Sequence, residues 1–451
     1  MIKKQLIRWN RWQEVSTNRR IFSGMLVVAI FTLVAKFIGA GKELVVAHSF
    51  GTGSMVDAFL FAFLLPSFVI NVLAGSFGSA IMPTYIRVRD KNGSEAAAKL
   101  FSSLIVVGIL LLLVSAIILG LIGPTVLSIL GTGFNQQTMA LVSSLFYWLL
   151  PIVIITGISH LYSTIINAGE RFASVALIPS ITPIVIVICL ITFVDAWGIY
   201  SLVFGVLIGA VIELLMLTQS ARRSGISILP RWHGMTEELK AVMGQYTPML
   251  AGAFLMSSTV LVDQSMAAML DSGSVATLNY ANKIVAMILG IGAMALGTAV
   301  LPHLSRLVAN EDWDGIKHTF QTYSKLIILI SLPMTIVLFV FSEPIIKLLF
   351  ERGAFTPQDT VLVAKTQAYY VLQLPFYFLG MLGVRLISAM MKNKTLMHIA
   401  AVNLIVNIIG NYFFMHYFGV AGIALSTSVV YVLSAAMIFI AIFKENKFKC
   451  I

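Results

Sequence analysis

The chain has 451 residues, of which 59% are hydrophobic and only 11% are charged, and its mean hydropathy is +0.94. Soluble globular proteins carry about 25% charged residues, so this composition excludes a soluble protein and indicates one that crosses a membrane many times. Two cysteines, Cys189 and Cys450, are too few for a disulfide framework or a cysteine-rich metal site. The net charge of +11 comes without the basic, aromatic-rich face that is typical of nucleic-acid binding.

The N-terminal segment, residues 1–20, is basic and contains Trp9 and Trp12. It lacks the short apolar core and the small-residue cleavage site of a signal peptide. The pattern is typical of an amphipathic helix that lies on an anionic membrane surface. The alternative is a basic flank that only fixes the orientation of the first membrane helix.

A membrane helix needs about 20 predominantly apolar residues, and twelve runs of the chain come close to this length or exceed it. We therefore predict an all-α polytopic membrane protein with 12 transmembrane helices. The runs lie at 21–46, 58–82, 100–122, 140–165, 173–194, 199–218, 247–270, 276–301, 326–342, 361–390, 396–416 and 419–443.

Basic residues are distributed unevenly between the two sides of these runs. The termini and the loops after even-numbered runs hold 23 lysines and arginines, whereas the loops after odd-numbered runs hold two. Because cytoplasmic loops are enriched in lysine and arginine, both termini are predicted to be cytoplasmic.

The two halves of the chain resemble each other. Gly78–Pro83 (GSAIMP) aligns with Gly297–Pro302 (GTAVLP), and Pro151 aligns with Pro375 at a similar offset. Because each half has an even number of helices, we expect two six-helix lobes related by a pseudo-two-fold axis along the membrane normal. The alternative is a duplication without a functional cavity. The expected parts are lobes at 21–222 and 247–443, a cytoplasmic linker at 223–246 and a cytoplasmic tail at 444–451.

Among the lysines that lie within apolar runs, Lys36 and Lys42 belong to the first run and Lys283 belongs to the eighth. A lysine near the middle of a membrane helix costs about 2.5–3.5 kcal/mol on insertion scales and usually faces a water-filled cavity or a partner. The three lysines therefore indicate a central cavity for an anionic ligand. The alternative is that Lys36 and Lys42 pair with Glu43 and serve only packing.

A possible cation site is indicated by polar residues of the later runs. Asp263 lies in the seventh run, and Asn407 and Asn411 lie four residues apart on the eleventh and share a helical face. Thr427 and the backbone carbonyl of Ile423 on the twelfth run complete a set of oxygen ligands suited to a small cation. The alternative is that these side chains only form hydrogen bonds between helices.

No phosphate-binding loop and no Ser/His/Asp arrangement is visible in the sequence. We therefore expect a transporter without a cofactor and not an enzyme. Its driving force would be an Na+ or H+ gradient, the membrane potential or the gradient of the substrate.

Several segments resemble the lipid II flippase family (MurJ, also called MviN), a branch of the multidrug/oligosaccharidyl-lipid/polysaccharide exporter superfamily. The most specific are NYANKIVAMILGIGAMALGTAVLPHLSR at the eighth run and LLFERGAFTPQDT after the ninth. The resemblance covers nearly the whole chain.

The resemblance implies a flippase in the bacterial cytoplasmic membrane, with two lobes around a V-shaped cavity that receives a polyprenyl-pyrophosphate-linked glycan. It places Lys36, Lys42 and Lys283 where the family carries essential arginines, and Asp57 at the family's cavity aspartate. It also implies a sodium site on the helices of Asp263, Asn407 and Thr427, with Asn411 at a position where an aspartate can occur. Membrane lipid and envelope-glycan synthases are the expected partners.

Three departures from the family pattern bear on the glycan. Lysines replace the arginines, Ile70 and Ala286 stand where the family has an arginine and a glutamate, and the chain ends after the twelfth run. We therefore expect either lipid II or a related polysaccharide repeat unit. The alternatives to a flippase are an ion-coupled multidrug-type exporter and a non-transporting membrane scaffold for envelope-glycan synthesis.

Overall fold

A computed structural model describes residues 17–168, 172–223 and 230–444. Most of the predicted N-terminal segment, part of the linker and nearly all of the tail therefore lie outside the described residues. Helices are the only regular structure within these ranges. They are α1 Thr17–Phe50, α2 Ser54–Val69, α3 Gly75–Leu130, α4 Gln136–Leu149, α5 Ile152–Ala168, α6 Phe172–Leu177, α7 Ile181–Trp197, α8 Tyr200–Arg223, α9 Glu237–Ala267, α10 Ser274–Ala309, α11 Trp313–Val340, α12 Ser342–Phe350, α13 Pro357–Val371, α14 Leu374–Ala389, α15 Asn393–Phe418 and α16 Val420–Phe443.

The predicted apolar runs all fall on these helices. By length and composition alone, eight helical stretches of the described chain can cross a membrane, or nine if α4 and α5, which meet at 42°, form one span. The count is lower than twelve partly because one stretch, Ser54–Leu130, contains both the second and the third runs. Gly93, with φ 87° and ψ 171°, breaks the helix between those two runs. The protein is an all-α, multi-pass membrane protein.

The repeat seen in the sequence has a counterpart in the backbone. Gly198 joins α7 to α8 with φ 51°, and Gly419 joins α15 to α16 with φ 58°. A positive φ is open to glycine and strained for most other residues. The two junctions are 221 residues apart, close to the offset of the aligned proline motifs, so both halves use the same turn at the same place.

Contacts group the chain into two compact units. The first comprises Met1–Lys42, Leu73–Ile117 and Leu150–Met249, and the second comprises Glu43–Val72, Ile118–Leu149 and Leu250–Ile451. This grouping does not follow the order of the sequence, and the predicted boundaries of the two lobes stay a prediction.

Within the first unit, the described part of the predicted linker is fixed to α3. Ser102 accepts a hydrogen bond from the backbone N–H of Arg231 at 2.7 Å, and Ser103 accepts one from the backbone N–H of His233 at 3.1 Å. Residues 230–236 form no helix, and these two hydroxyls satisfy their main-chain donors.

Helices α7 and α8 of the first unit approach each other closely at two glycines. A Cβ atom added to Gly205 would lie 2.8 Å from Cα of Ile186, and one added to Gly209 would lie 2.7 Å from Cα of Thr182. Small residues at such contacts bring membrane helices together and strengthen their packing, because lipid offers no hydrophobic driving force between helices.

The variant Gly209→Ala is expected to destabilise the protein by about 1–3 kcal/mol, because its Cβ would push the two backbones apart. Gly244→Ala is the matched control, since a Cβ at Gly244 meets no atom within 4 Å and alanine favours the helix. Thermal unfolding of both variants in detergent measures the difference. Equal unfolding temperatures for the two would show that the α7–α8 contact is adaptable.

Candidate functional site

Lys283 of α10 forms an ion pair inside an apolar helix bundle. Its Nζ lies 2.8 Å from Oε1 of Glu43, which stands near the end of α1. The Glu43 side chain is 7% exposed, while that of Lys283 is 37% exposed. A buried carboxylate is stable only with a partner, and Lys283 supplies that partner while part of its own side chain stays accessible.

Glu43 is a residue of this site that the sequence prediction did not assign. Its partner comes from the second half of the chain, 240 residues away. One signal in the sequence could have indicated Glu43, because it is an acidic residue near the end of an apolar run that also holds two lysines. Lys36 and Lys42 lie on α1 and belong to the first unit. Their predicted convergence with Lys283 on one cavity stays a prediction.

Asp57 holds the N-terminus of α10. One carboxylate oxygen accepts the backbone N–H of Gly273 at 2.5 Å, and the other accepts that of Ala276 at 2.7 Å. The first N–H groups of a helix have no partner within the helix and carry partial positive charge, so a carboxylate there satisfies both needs. Asp57 is 1% exposed, and its role in binding substrate stays a prediction.

The segment that carried the family resemblance, LLFERGAFTPQDT, packs against the end of α1. The backbone N–H of Ala354 donates to the carbonyl of His48 at 2.8 Å. Gly51 and Gly353 both have positive φ, and a Cβ on either would overlap main-chain atoms of the other segment. Thr52 donates to the Asp359 carboxylate at the start of α13. The junction therefore depends on close approach of two backbones.

Aromatic rings bury this junction from one side. Tyr280 packs against Phe350 and Phe355, with ring centroids 5.5 and 5.9 Å away. The Tyr280 hydroxyl donates to the Gly51 carbonyl at 3.2 Å. Because Tyr280 is on α10, the helix that carries Lys283 is tied to the end of α1 at a second point.

Ile70, which the sequence resemblance places where the family has an arginine, is buried and begins a π-helical turn, Ile70–Ala74. Such turns widen a helix locally and are frequent at functional sites. Because the side chain is apolar, the turn after α2 contributes no cation at this position.

The predicted oxygen ligands of the cation site converge. Asp263 of α9 accepts hydrogen bonds from the side-chain amides of Asn407 at 3.0 Å and Asn411 at 2.6 Å, both on α15. The Thr427 hydroxyl of α16 lies 3.5 Å from the other Asp263 oxygen and 3.1 Å from the Ile423 carbonyl. All five residues chosen from the sequence therefore lie in one cluster.

The unpaired oxygens of this cluster test whether it fits a cation. The amide oxygens of Asn407 and Asn411 are buried and have no hydrogen-bond partner in the described part of the chain. Rotating either amide by 180° exchanges its nitrogen for its oxygen and turns the oxygen toward Asp263. One carboxylate, two amide oxygens and a hydroxyl oxygen then lie in one cluster, and such oxygen donors suit a small cation.

Asp57→Asn is expected to destabilise the contact between α2 and α10. Asparagine keeps one acceptor oxygen but loses the second acceptor and the negative charge, so a buried N–H remains unpaired at a cost of about 1–3 kcal/mol. The unfolding temperature in detergent reports the change. Asp271→Asn, at an exposed carboxylate two residues before Gly273, is the control and should unfold like the wild type. If the unfolding temperature of Asp271→Asn falls as far as that of Asp57→Asn, then negative charge near this helix end, and not the two hydrogen bonds, provides the stabilisation.

Comparison with known proteins places the chain in a family. The sequence model of the lipid II flippase MurJ matches residues 46–450. The probable lipid II flippase MurJ of Vibrio cholerae is 24% identical over 459 residues, which cover 94% of this chain and 83% of that protein. The lipid II flippase MurJ of Burkholderia cenocepacia is 24% identical over 447 residues, which cover 94% and 84%.

Solved structures share the fold. The inward closed conformation of the lipid II flippase MurJ superposes with a TM-score of 0.79 at 24% identity, covering 94% of this chain and 89% of that one. An inward-facing multidrug transporter of the MATE family superposes with a TM-score of 0.75 at 12% identity, and the match covers 92% of this chain and 97% of that one. These matches confirm the predicted fold class. Because the family model spans most of the sequence, the chain belongs to the lipid II flippase MurJ family.

Proposed function

We propose that this protein is a flippase that moves a polyprenyl-pyrophosphate-linked glycan across the cytoplasmic membrane by alternating access. The observation that carries the proposal is the Lys283–Glu43 pair, in which a partly exposed cation is held within the membrane region of a MurJ-family fold. Family membership favours this function over a multidrug exporter and over a non-transporting scaffold.

The chemistry of the lysines suits a diphosphate. A lysine ammonium is a compact charge with three donors, and it binds phosphate oxygens strongly in a region of low dielectric constant. Lys283 has a carboxylate partner in the structure, so a diphosphate would compete with Glu43 for the same ammonium. The positive charge of Lys283 would therefore have a negative partner both when substrate is bound and when it is absent.

The proposed topology assigns a role to the contacts of α1, α2 and α10. With both termini in the cytoplasm, the His48–Ala354 and Asp57–Gly273 contacts lie toward the outer side of the membrane. Release of a headgroup to the outer leaflet then requires these contacts to separate, and their re-formation would return the protein to its starting state.

The proposed substrates are lipid II and related glycans on the same carrier. The named relatives are lipid II flippases. Three lysines in place of arginines, together with Ile70 and Ala286, favour testing a polysaccharide repeat unit beside lipid II. Growth of a strain that lacks its own lipid II flippase and expresses this chain distinguishes the two.

Lys36→Ala and Lys283→Ala are expected to lower translocation about 10- to 100-fold, since a charged hydrogen bond contributes about 1.5–3 kcal/mol. Headgroup accessibility on the outer leaflet of cells or vesicles measures the rate. Arginine at either position should restore part of the activity.

Lys91→Ala, at an exposed lysine of α3, is the control and should translocate like the wild type. If both cavity variants reach normal abundance and keep the wild-type rate, the lysines do not bind the substrate and the proposed site is wrong.

We further propose that a cation at the Asp263 cluster is coupled to transport. Asp263→Asn removes the only carboxylate of the cluster within the described residues, so it should abolish the dependence of translocation on the ion gradient. Rates are measured in vesicles with a sodium gradient at constant pH and, separately, with a pH gradient at constant sodium.

Asn403→Ala is the matched control for the coupling test. Asn403 lies one helical turn before Asn407 on α15 and donates to Ser434 instead of to Asp263. It should keep the wild-type dependence on the ion gradient. An Asp263→Asn variant that still responds to the same gradient would show that coupling occurs elsewhere.

A further inference from the structure

Arg385 of α14 is a cation of an apolar helix that the protein's own side chains leave unpaired. Its Nε atom is buried and has no hydrogen-bond partner in the described part of the chain. Among the same residues, no carboxylate forms an ion pair with its guanidinium. A guanidinium has five N–H donors and a permanent charge, and burying such a donor without a partner is unfavourable. Either packing or a ligand must offset this cost.

The guanidinium of Arg385 lies beside a glycine of α10. A Cβ atom added to Gly297 would lie 3.2 Å from Nη2 of Arg385. Gly383, two residues before the arginine, instead faces Ile438 of α16. Because successive residues of an α-helix are turned by about 100°, Arg385 projects from a different side of α14. The missing side chain of Gly297 therefore leaves the room that the guanidinium occupies.

The first half of the chain shows what this contact needs for packing alone. Gly78 aligns with Gly297 in the repeated motif, and a Cβ added to Gly78 would lie 3.5 Å from Oγ1 of Thr164. Thr164 precedes Arg385 by 221 residues, close to the 219 that separate the two glycines. The buried Thr164 hydroxyl donates to the carbonyl of His160 at 2.9 Å. A small neutral side chain thus fills this place in the first half, so packing against the glycine does not need a cation.

Arg385 is separate from the Lys283–Glu43 pair. Lys283 and Gly297 are 14 residues apart on α10, which corresponds to about 21 Å along the helix. The two phosphates of a diphosphate share one oxygen, so a single headgroup cannot reach both places at once. Arg385 also lies four residues before the end of α14, which the proposed topology places on the cytoplasmic side.

We propose that Arg385, beside the gap at Gly297, is a second anion site, which binds the phosphate group of a lipid from the cytoplasmic leaflet. A guanidinium grips phosphate oxygens through two parallel, charge-assisted N–H bonds. Because no hydrogen bond within the described chain holds this guanidinium, a phosphate that takes it displaces none.

Two lipids carry this phosphate chemistry. One is an anionic phospholipid of the bilayer, and the other is the polyprenyl-pyrophosphate carrier. In the second case the site rests on the proposed function, since it would receive the carrier before the headgroup reaches Lys283.

The test measures thermal unfolding of the purified full-length chain in an uncharged detergent. Dioleoyl phosphatidylglycerol and undecaprenyl pyrophosphate are titrated separately, and at least one of them should stabilise the wild type. Arg385→Thr should need about 10-fold more of that lipid for half of the stabilisation, because charged hydrogen bonds are lost. Since threonine fills the equivalent place in the first half, this variant should fold. Arg385→Lys keeps the charge without the fork and should titrate between the two, and it serves alone if Arg385→Thr does not fold.

Three controls separate the site from other effects. Arg306→Thr removes the same charge from an exposed position in the last turn of α10 and should titrate like the wild type. Dioleoylglycerol has the tails of the phospholipid without its phosphate, and its effect should not depend on Arg385. In a Lys283→Ala background, adding Arg385→Thr should still shift the midpoint. Normal translocation by Lys283→Ala would contradict the proposed function and leave this binding result unaffected.

The outcomes decide both the site and its ligand. An Arg385-dependent response to phosphatidylglycerol alone identifies a phospholipid site, and one to undecaprenyl pyrophosphate alone identifies a site for the carrier. The inference is overturned if neither lipid stabilises the wild type or if Arg385→Thr has the wild-type midpoint with both. Equal shifts in Arg385→Thr and Arg306→Thr also overturn it, because general surface charge would then explain the binding.

Discussion

The cost of placing charge in a membrane is the constraint on which the second unit depends. Three carboxylates lie within or beside its apolar helices, and each has a different kind of partner. Glu43 has a lysine, Asp57 has the N-terminus of a helix, and Asp263 has two amides and a hydroxyl. In each case the partner belongs to another helix, so satisfying the charge also fixes the position of that helix.

The sequence predicted the helices because the signal is local. An apolar run of about 20 residues specifies a membrane helix whatever lies elsewhere in the chain. The Asp263 cluster was also accessible, since Asn407 and Asn411 share a face through their spacing and family resemblance supplied the rest. The Lys283–Glu43 pair could not be predicted from the sequence, because the two residues are 240 positions apart and no local pattern connects them. The partners of Asp57 are backbone N–H groups, which every residue except proline has, so no residue type indicates them.

The two clusters of the second unit that we propose to be functional differ in their electrostatics. Lys283 and Glu43 form a pair of opposite charges that an anionic ligand can divide, because the lysine can exchange one anion for another. Asp263 is surrounded by neutral donors, and its charge has no ionic partner among the described residues. The first arrangement suits a ligand with a large negative charge, and the second suits a single small positive charge.

The junction between the end of α1 and the segment before α13 has a consequence for the conditions under which the protein works. Two of its hydrogen bonds end on main-chain carbonyls, since the Ala354 N–H donates to His48 and the Tyr280 hydroxyl donates to Gly51, and a third joins the Thr52 hydroxyl to the Asp359 carboxylate. The first two are neutral hydrogen bonds, which are screened little by salt. These two contacts would therefore hold equally well in dilute and in concentrated salt, whichever side of the membrane they face.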